Sequence, residues 1–195
     1  MFFMLQMPVI RILFMLFFML PFALPLSANA NNIEISEAQI NHYLSQKLGF
    51  NDQFNLPGII NIRYKVDQMQ ANVGRNNSNK IELDGIVSAA FSYNHRQFDS
   101  RINLVFDVEP EYNAEQGAVY LKNLRMLRWS SQPQKYADQL QLIMPMLNNT
   151  VQTLLNQFPV YTLDSNDATQ NMIKQMVKKL RVSDGKIVLE TSTLL

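Results

Sequence analysis

Residues 81–108 read IELDGIVSAAFSYNHRQFDSRINLVFDV. Ile81, Leu83, Gly85, Val87, Ala89, Phe91 and Tyr93 share one face of an extended chain, while Glu82, Asp84, Ser88 and Ser92 take the other. After Asn94-His95-Arg96 the alternation resumes. Phe98, Ile102, Leu104, Phe106 and Val108 now oppose Asp99, Arg101, Asn103 and Asp107. Period-two patterning of this length, broken by one short turn, predicts two long antiparallel strands with one wet face.

The pattern extends in both directions. Upstream, Ile60, Ile62, Tyr64 and Val66 alternate with polar residues, and the phase then changes to Met69, Ala71 and Val73. That change predicts a bulge near Asp67-Gln68. Gly85, in mid-strand, suggests a bend. Downstream, a fourth strand over 118–131 slips phase around Asn123-Leu124. Pro133 then suits a first helical position. Tyr136, Leu140, Ile143, Met144, Leu147, Val151, Leu154, Leu155 and Phe158 mark one broad apolar face, and Pro159 ends it. A helix over 134–158 is predicted, kinked at Pro145, which cannot donate to Gln141.

Shorter elements flank this unit. Ser36 and Gln39 form a capping box for a helix over 36–48, with Gly49 at its C-cap and a loop over 50–58. A short strand covers 160–163. Met172, Ile173, Met176, Val177 and Leu180 predict a third helix, with Lys178 and Lys179 in its last turn. Asp184-Gly185 predicts a tight hairpin turn before Ile187, Val188 and Leu189. The expected class is α+β: a long antiparallel four-stranded meander wrapped on one long helix, with further N- and C-terminal helices and short C-terminal strands.

The first thirty residues differ in composition from the rest. They hold six of the 12 Phe and five of the 11 Met, a single basic residue, Arg11, and no acid. The apolar run from Ile12 to Leu20, the helix breakers Pro21 and Pro25, and Ala28-Asn29-Ala30 read as a signal peptide cleaved after Ala30. The expected mature protein is one domain over 31–195, periplasmic, with peripheral or no stable membrane contact. The alternative is an uncleaved leader anchoring it to the inner membrane. With Arg11 set aside, the 17 Lys and Arg fall level with 16 Asp and Glu. A neutral domain argues against nucleic acid, which needs a basic face to displace counterions. There is no Cys, hence no disulfide, thiol nucleophile or thioether lipid anchor, and two distant His make a metal site unexpected.

Several segments then resemble a known family. These are Leu56-Pro57-Gly58, Asn72-Val73-Gly74-Arg75, the run from Glu115 to Asn123, Gln132-Pro133, Pro159-Val160-Tyr161-Thr162-Leu163 and Gly185-Lys186-Ile187-Val188-Leu189. In order and spacing they resemble the YceB-like family of bacterial envelope proteins. The resemblance implies a fold similar to the tubular lipid-binding (TULIP) superfamily, in which a curved sheet wraps a long helix around a lipid-lined tunnel. It carries over no catalytic residue. Familiar members end their leader at a lipidated Cys, where this chain has Ala30 and Asn31.

No G-x-S-x-G, P-loop or H-E-x-x-H occurs, so no catalytic, cofactor or metal residue is assigned. His42 and His95 read as surface residues, and Glu109 and Glu111 as rim charge flanking Pro110. Trp129 reads as a junction aromatic or a tunnel-mouth residue. Methionine adapts to irregular volumes. The expected function is non-enzymatic binding of a lipid or other long apolar ligand between sheet and long helix. Phe91, Leu104, Phe106, Met126, Trp129, Met144, Leu147 and Val151 are the expected contacts. The alternative is an envelope protein-interaction module with a filled core.

Overall fold

The computed structural model describes residues 32–46, 48–56, 60–93 and 96–192. The leader, Gly58 and His95 lie outside the described residues. The elements are β1 (Asn32–Ser36), α1 (Glu37–Gln46), β2 (Asn51–Leu56), β3 (Ile60–Val73), β4 (Ile81–Tyr93), β5 (Arg96–Asn113) and β6 (Ala118–Gln132). They continue with α2 (Ala137–Gln157), β7 (Tyr161–Thr162), α3 (Ala168–Met176), β8 (Val177–Ser183) and β9 (Lys186–Thr191).

The α+β class is overturned. Strands hold 55% of the described residues, and α2 is the single long helix among them. The large sheet is a curled, six-stranded half-barrel in the order β2-β3-β4-β5-β6-β7, not a four-stranded one. A second sheet, β1-β9-β8, joins the two ends of the described chain. Three local misreadings account for the difference. The expected loop over 50–58 contains β2, an edge strand paired only to β3. Its sequence, NDQFNL, opens on three polar residues before the buried Phe54, so little alternation betrays it. The lead-in before α1 is β1, whose partner β9 lies at the far end of the sequence. Most instructive is the expected third helix, which stops at Met176. Val177 and Leu180 are buried on β8, and a bulge at Lys178 leaves two exposed lysines between them. The bulge imitates the i, i+3 spacing of a helix.

The sheet is bent at mid-length. On β3 the register jumps between Val66 and Gln68, leaving Asp67 unpaired in the ladder. On β6 it jumps twice, at Leu127 and around Asn123-Leu124, where Asn123 takes φ 55°. Gly85 pairs with Met69 on one side and Leu104 on the other, at the same level. A methyl on Gly85 would sit 3.3 Å from the Gln68 carbonyl. Bulges increase local twist and bend a strand, so their clustering at one level curls the sheet there.

The core divides at that level. One cluster joins α1 (Ile40, Leu44), the far half of β3 and the near half of β4 to Leu124, Leu155 and the small sheet's Leu180, Val182 and Ile187. The other joins Phe54, Ile60, Ile62, Phe91, Phe98 and Ile102 to Leu140, Ile143 and Met144 of α2. Phe91 and Phe98 stack at 5.0 Å. Helix α2 is thus seated deeply at each end and spans the bend between.

Polar contacts secure the remaining edges. β2 covers only the first part of β3, and α1 covers its far end at Ala71 and Val73. The Asn41 amide bonds the Ala71 N–H (2.7 Å) and carbonyl (2.9 Å), and the Val73 N–H donates to Glu37 (2.8 Å). An edge covered in this way cannot template strand addition. The capping box forms, with the Ser36 N–H donating to Gln39 Oε1 at 2.7 Å.

Asp107 is a buried acid outside the main clusters, its side chain 8% exposed. Arg125 bonds both of its carboxylate oxygens, and Lys80 lies at 3.3 Å. The Arg125 hydrogen bonds hold the Asp107 carboxyl below its usual range; burial opposes this and Lys80 assists. A lowered folded pKa contributes stability above the unfolded value, and that contribution is lost as pH falls through the folded pKa. Asp107→Asn is therefore expected to melt below wild type at neutral pH. The gap should narrow progressively as pH falls below an unperturbed Asp pKa of about 3.9. Melting curves across that range check this, and a gap that survives acid would reject it.

Candidate functional site

Where the sheet bends, α2 stands off it. Leu140, Ile143, Met144 and Leu155 of α2 are buried, but Leu147 and Val151 between them are only half-buried. A cavity of about 210 Å³ occupies the space. Its floor is the concave face of β3–β6, including Val66, Met69, Val87, Phe91, Leu104, Phe106 and Met126; Met144, Leu147 and Val151 form its roof. No charged side chain lines it among the described residues. The cavity follows from the elements already described. The bulged sheet curves away beneath α2, so the helix packs most deeply near its ends, at Leu140, Ile143 and Met144 and again at Leu155, and less deeply between them.

Seven of the eight residues selected from the sequence line this cavity: Phe91, Leu104, Phe106, Met126, Met144, Leu147 and Val151. Trp129 does not. It pairs with Leu104 and packs, half-buried, against the cluster around Phe98 and Leu140. Pro145 lies on the exposed side of α2, which runs unbroken past it, so the Gln141 carbonyl it cannot serve faces solvent.

Two polar residues in the lining escaped the sequence reading. The Tyr64 hydroxyl is buried without a hydrogen-bond partner among the described residues. Burial foremost, and the charge of Asp52 after it, raise its pKa well above the ordinary tyrosine value. Asn148 tethers α2 to the bulged part of β6, its Oδ1 accepting from the Met126 N–H at 3.1 Å. The signal for Asn148 was its place on the apolar face of α2, four residues after Met144 and three before Val151.

Other candidate groups do not converge. A wider, shallow trough of about 830 Å³ includes Arg63, Lys65, Ser88, Asp99 and Arg101, which alternate out of phase with the cavity residues. Its charges are mixed, and Lys65 and Arg101 lie 4.0 and 3.8 Å from Asp67. Glu109 is engaged by Lys80 and Asn123, and His42 lies 3.0 Å from the Gln46 amide. Among the described residues no group of three or more acids and histidines is placed to hold a metal, and no helix is long and apolar enough to cross a membrane.

Fold and site together define a curled half-barrel protein that holds an apolar cavity beneath one long helix. The chain belongs to the family described as "Protein of unknown function (DUF1439)", whose model matches residues 35–186. It is 26% identical over 156 residues to the "Uncharacterized lipoprotein YceB" of Escherichia coli (strain K12), covering 80% of this chain and 84% of that one. The protein of the same description from Salmonella typhimurium is 27% identical over the same shares.

Proposed function

We propose that this protein is an exported, non-enzymatic envelope protein that binds a lipid or other long apolar ligand in the cavity between sheet and α2. The cavity carries the reading. Voids in protein interiors are few and small because unmade contacts cost stability. Here about 210 Å³ beneath α2 is left unfilled by side chains although its lining is almost wholly apolar. Apolar cavities of roughly 150 Å³ stay dry and take up apolar guests. Rotamer-rich Met69, Met126 and Met144 in the lining can adapt to guests of different shape. Export rests on the leader and on the relatives, which are lipoproteins by description. Lacking Cys, this chain has no thiol for the lipid attachment expected of them.

The test uses protein purified from the periplasmic fraction, with a mature start at Asn31 expected. A fluorescent fatty acyl probe is titrated into wild type and Val151→Trp, and both are melted. Val151 is half-buried at the roof, so an indole there should fill the void at little cost to folding. Lost probe uptake with an unchanged melt supports the reading. A collapsed melt means Val151 is packed core. Wild-type protein that takes up no probe, where a known lipid carrier does, would leave the alternative of a partner-binding module.

A further inference from the structure

The cavity's two polar groups define the chemistry of its guest more narrowly than its apolar lining does. Tyr64 presents a hydroxyl that is buried without a partner among the described residues. Asn148 lines the same cavity, and with its oxygen committed to the Met126 N–H its Nδ2 group remains a donor. An unpartnered buried donor is costly, and a guest that supplies an acceptor removes that cost. The lining offers no cation to neutralise an anion, and Asp52 lies near enough to Tyr64 to act on its hydroxyl electrostatically. A buried carboxylate or phosphate would therefore be both unpaired and repelled.

We propose that the cavity selects an uncharged acyl ester, over a free fatty acid or plain hydrocarbon, with an ester oxygen accepting from the Tyr64 hydroxyl. The inference rests on the cavity being a ligand site. The raised pKa of Tyr64 keeps the phenol protonated, and so a donor, throughout the physiological range. The ester group suits the position because it accepts hydrogen bonds without charge and lies between two stretches that remain apolar. Any charged head attached to it would stay outside.

Displacement of a fluorescent apolar probe by methyl decanoate, decanoate and decane tests this, on wild type and on Tyr64→Phe. Wild type should prefer the ester over decane by about fivefold, the usual worth of one net hydrogen bond, and should bind decanoate more weakly than the ester. Tyr64→Phe should bind decane as wild type does and lose the ester preference. It should melt no lower, because it deletes an unpaired hydroxyl. Equal binding of ester and decane by wild type would overturn the inference and leave the cavity reading standing. So would an ester preference that survives in Tyr64→Phe, or decanoate binding as tight as the ester. Failure of wild type to bind probe, ester or decane would overturn the cavity reading itself, and this inference with it.

Discussion

Gly74→Ala is expected to destabilise the fold by more than about 3 kcal/mol, beyond the range of most single substitutions. Gly74 has φ +67°, and a Cβ there would lie 2.2 Å from the backbone oxygen of Ser183. Neither atom belongs to a flexible side chain that could swing away. The approach is close because three distant segments meet here. The Gly185 N–H donates to the Val73 carbonyl (2.9 Å), and the Glu37 N–H donates to the Gly185 carbonyl (2.8 Å). Glu37 accepts from the Val73 N–H at 2.8 Å and from Arg75 at 2.5 Å, and Arg75 also reaches Asp184. Moving Ser183 to admit a methyl would shift the β8–β9 turn and break the join between the two sheets. Gly49→Ala is the control: φ is +82° there, but nothing lies within 4 Å of the added methyl. Only conformational strain applies, of about 1–2 kcal/mol. Urea denaturation of both variants checks the contrast. Equal losses would mean that the close approach contributes nothing.

This junction also explains two of the segments that carry the family resemblance. Asn72-Val73-Gly74-Arg75 and the run from Gly185 are turn residues in sequence, and their meeting cannot be seen there. What is legible locally is periodicity. The phase change after Val66 and the slip at Asn123-Leu124 both coincide with bulges in the ladder. Gly85 sits in register with the β3 bulge, consistent with a bend. The fold class was not legible, because it depended on elements with weak or misleading periods. β2 opens on three polar residues, β1 finds its partner across the whole domain, and the Lys178 bulge gives a strand the spacing of a helix.

The site was legible to the extent that it is apolar. Alternation places Phe91, Leu104 and Phe106 on the inner face, and helical spacing places Met144, Leu147 and Val151 opposite them. Such patterns identify faces that meet, but not how closely they pack. That depends on the depth of the bend, which three register shifts set together. The bulge at Leu127 keeps Trp129 on the same face as Met126, but opposite Leu104 and further along β6, where it packs beside Phe98 and Leu140 beyond the cavity lining. Alternation marks Tyr64 only as one more inward residue, because a hydroxyl without a partner among the described residues is a property of its surroundings.

Leu140→Ala and Leu147→Ala should separate packed core from cavity on a single helix face. Leu140 is fully buried at 0% exposure, among Phe98, Ile102 and Ile143. Truncating it removes contacts on every side and leaves a void that its neighbours cannot close, at a cost of about 3–5 kcal/mol. Leu147 lies two turns further along, half-buried, with the cavity already on one side. Truncation there forfeits contacts on its remaining sides only, and about 1–2 kcal/mol is expected. The two variants should also differ in binding. Leu147→Ala enlarges the cavity and should retain or increase uptake of an acyl probe. Leu140→Ala opens space within the packed cluster and should leave uptake per folded molecule unchanged. Denaturant melts give the first comparison and probe titration the second. If Leu147→Ala costs as much as Leu140→Ala, α2 is packed along its whole length and the cavity does not survive in solution. If the costs differ as expected, its middle is held off the sheet, leaving room for a guest.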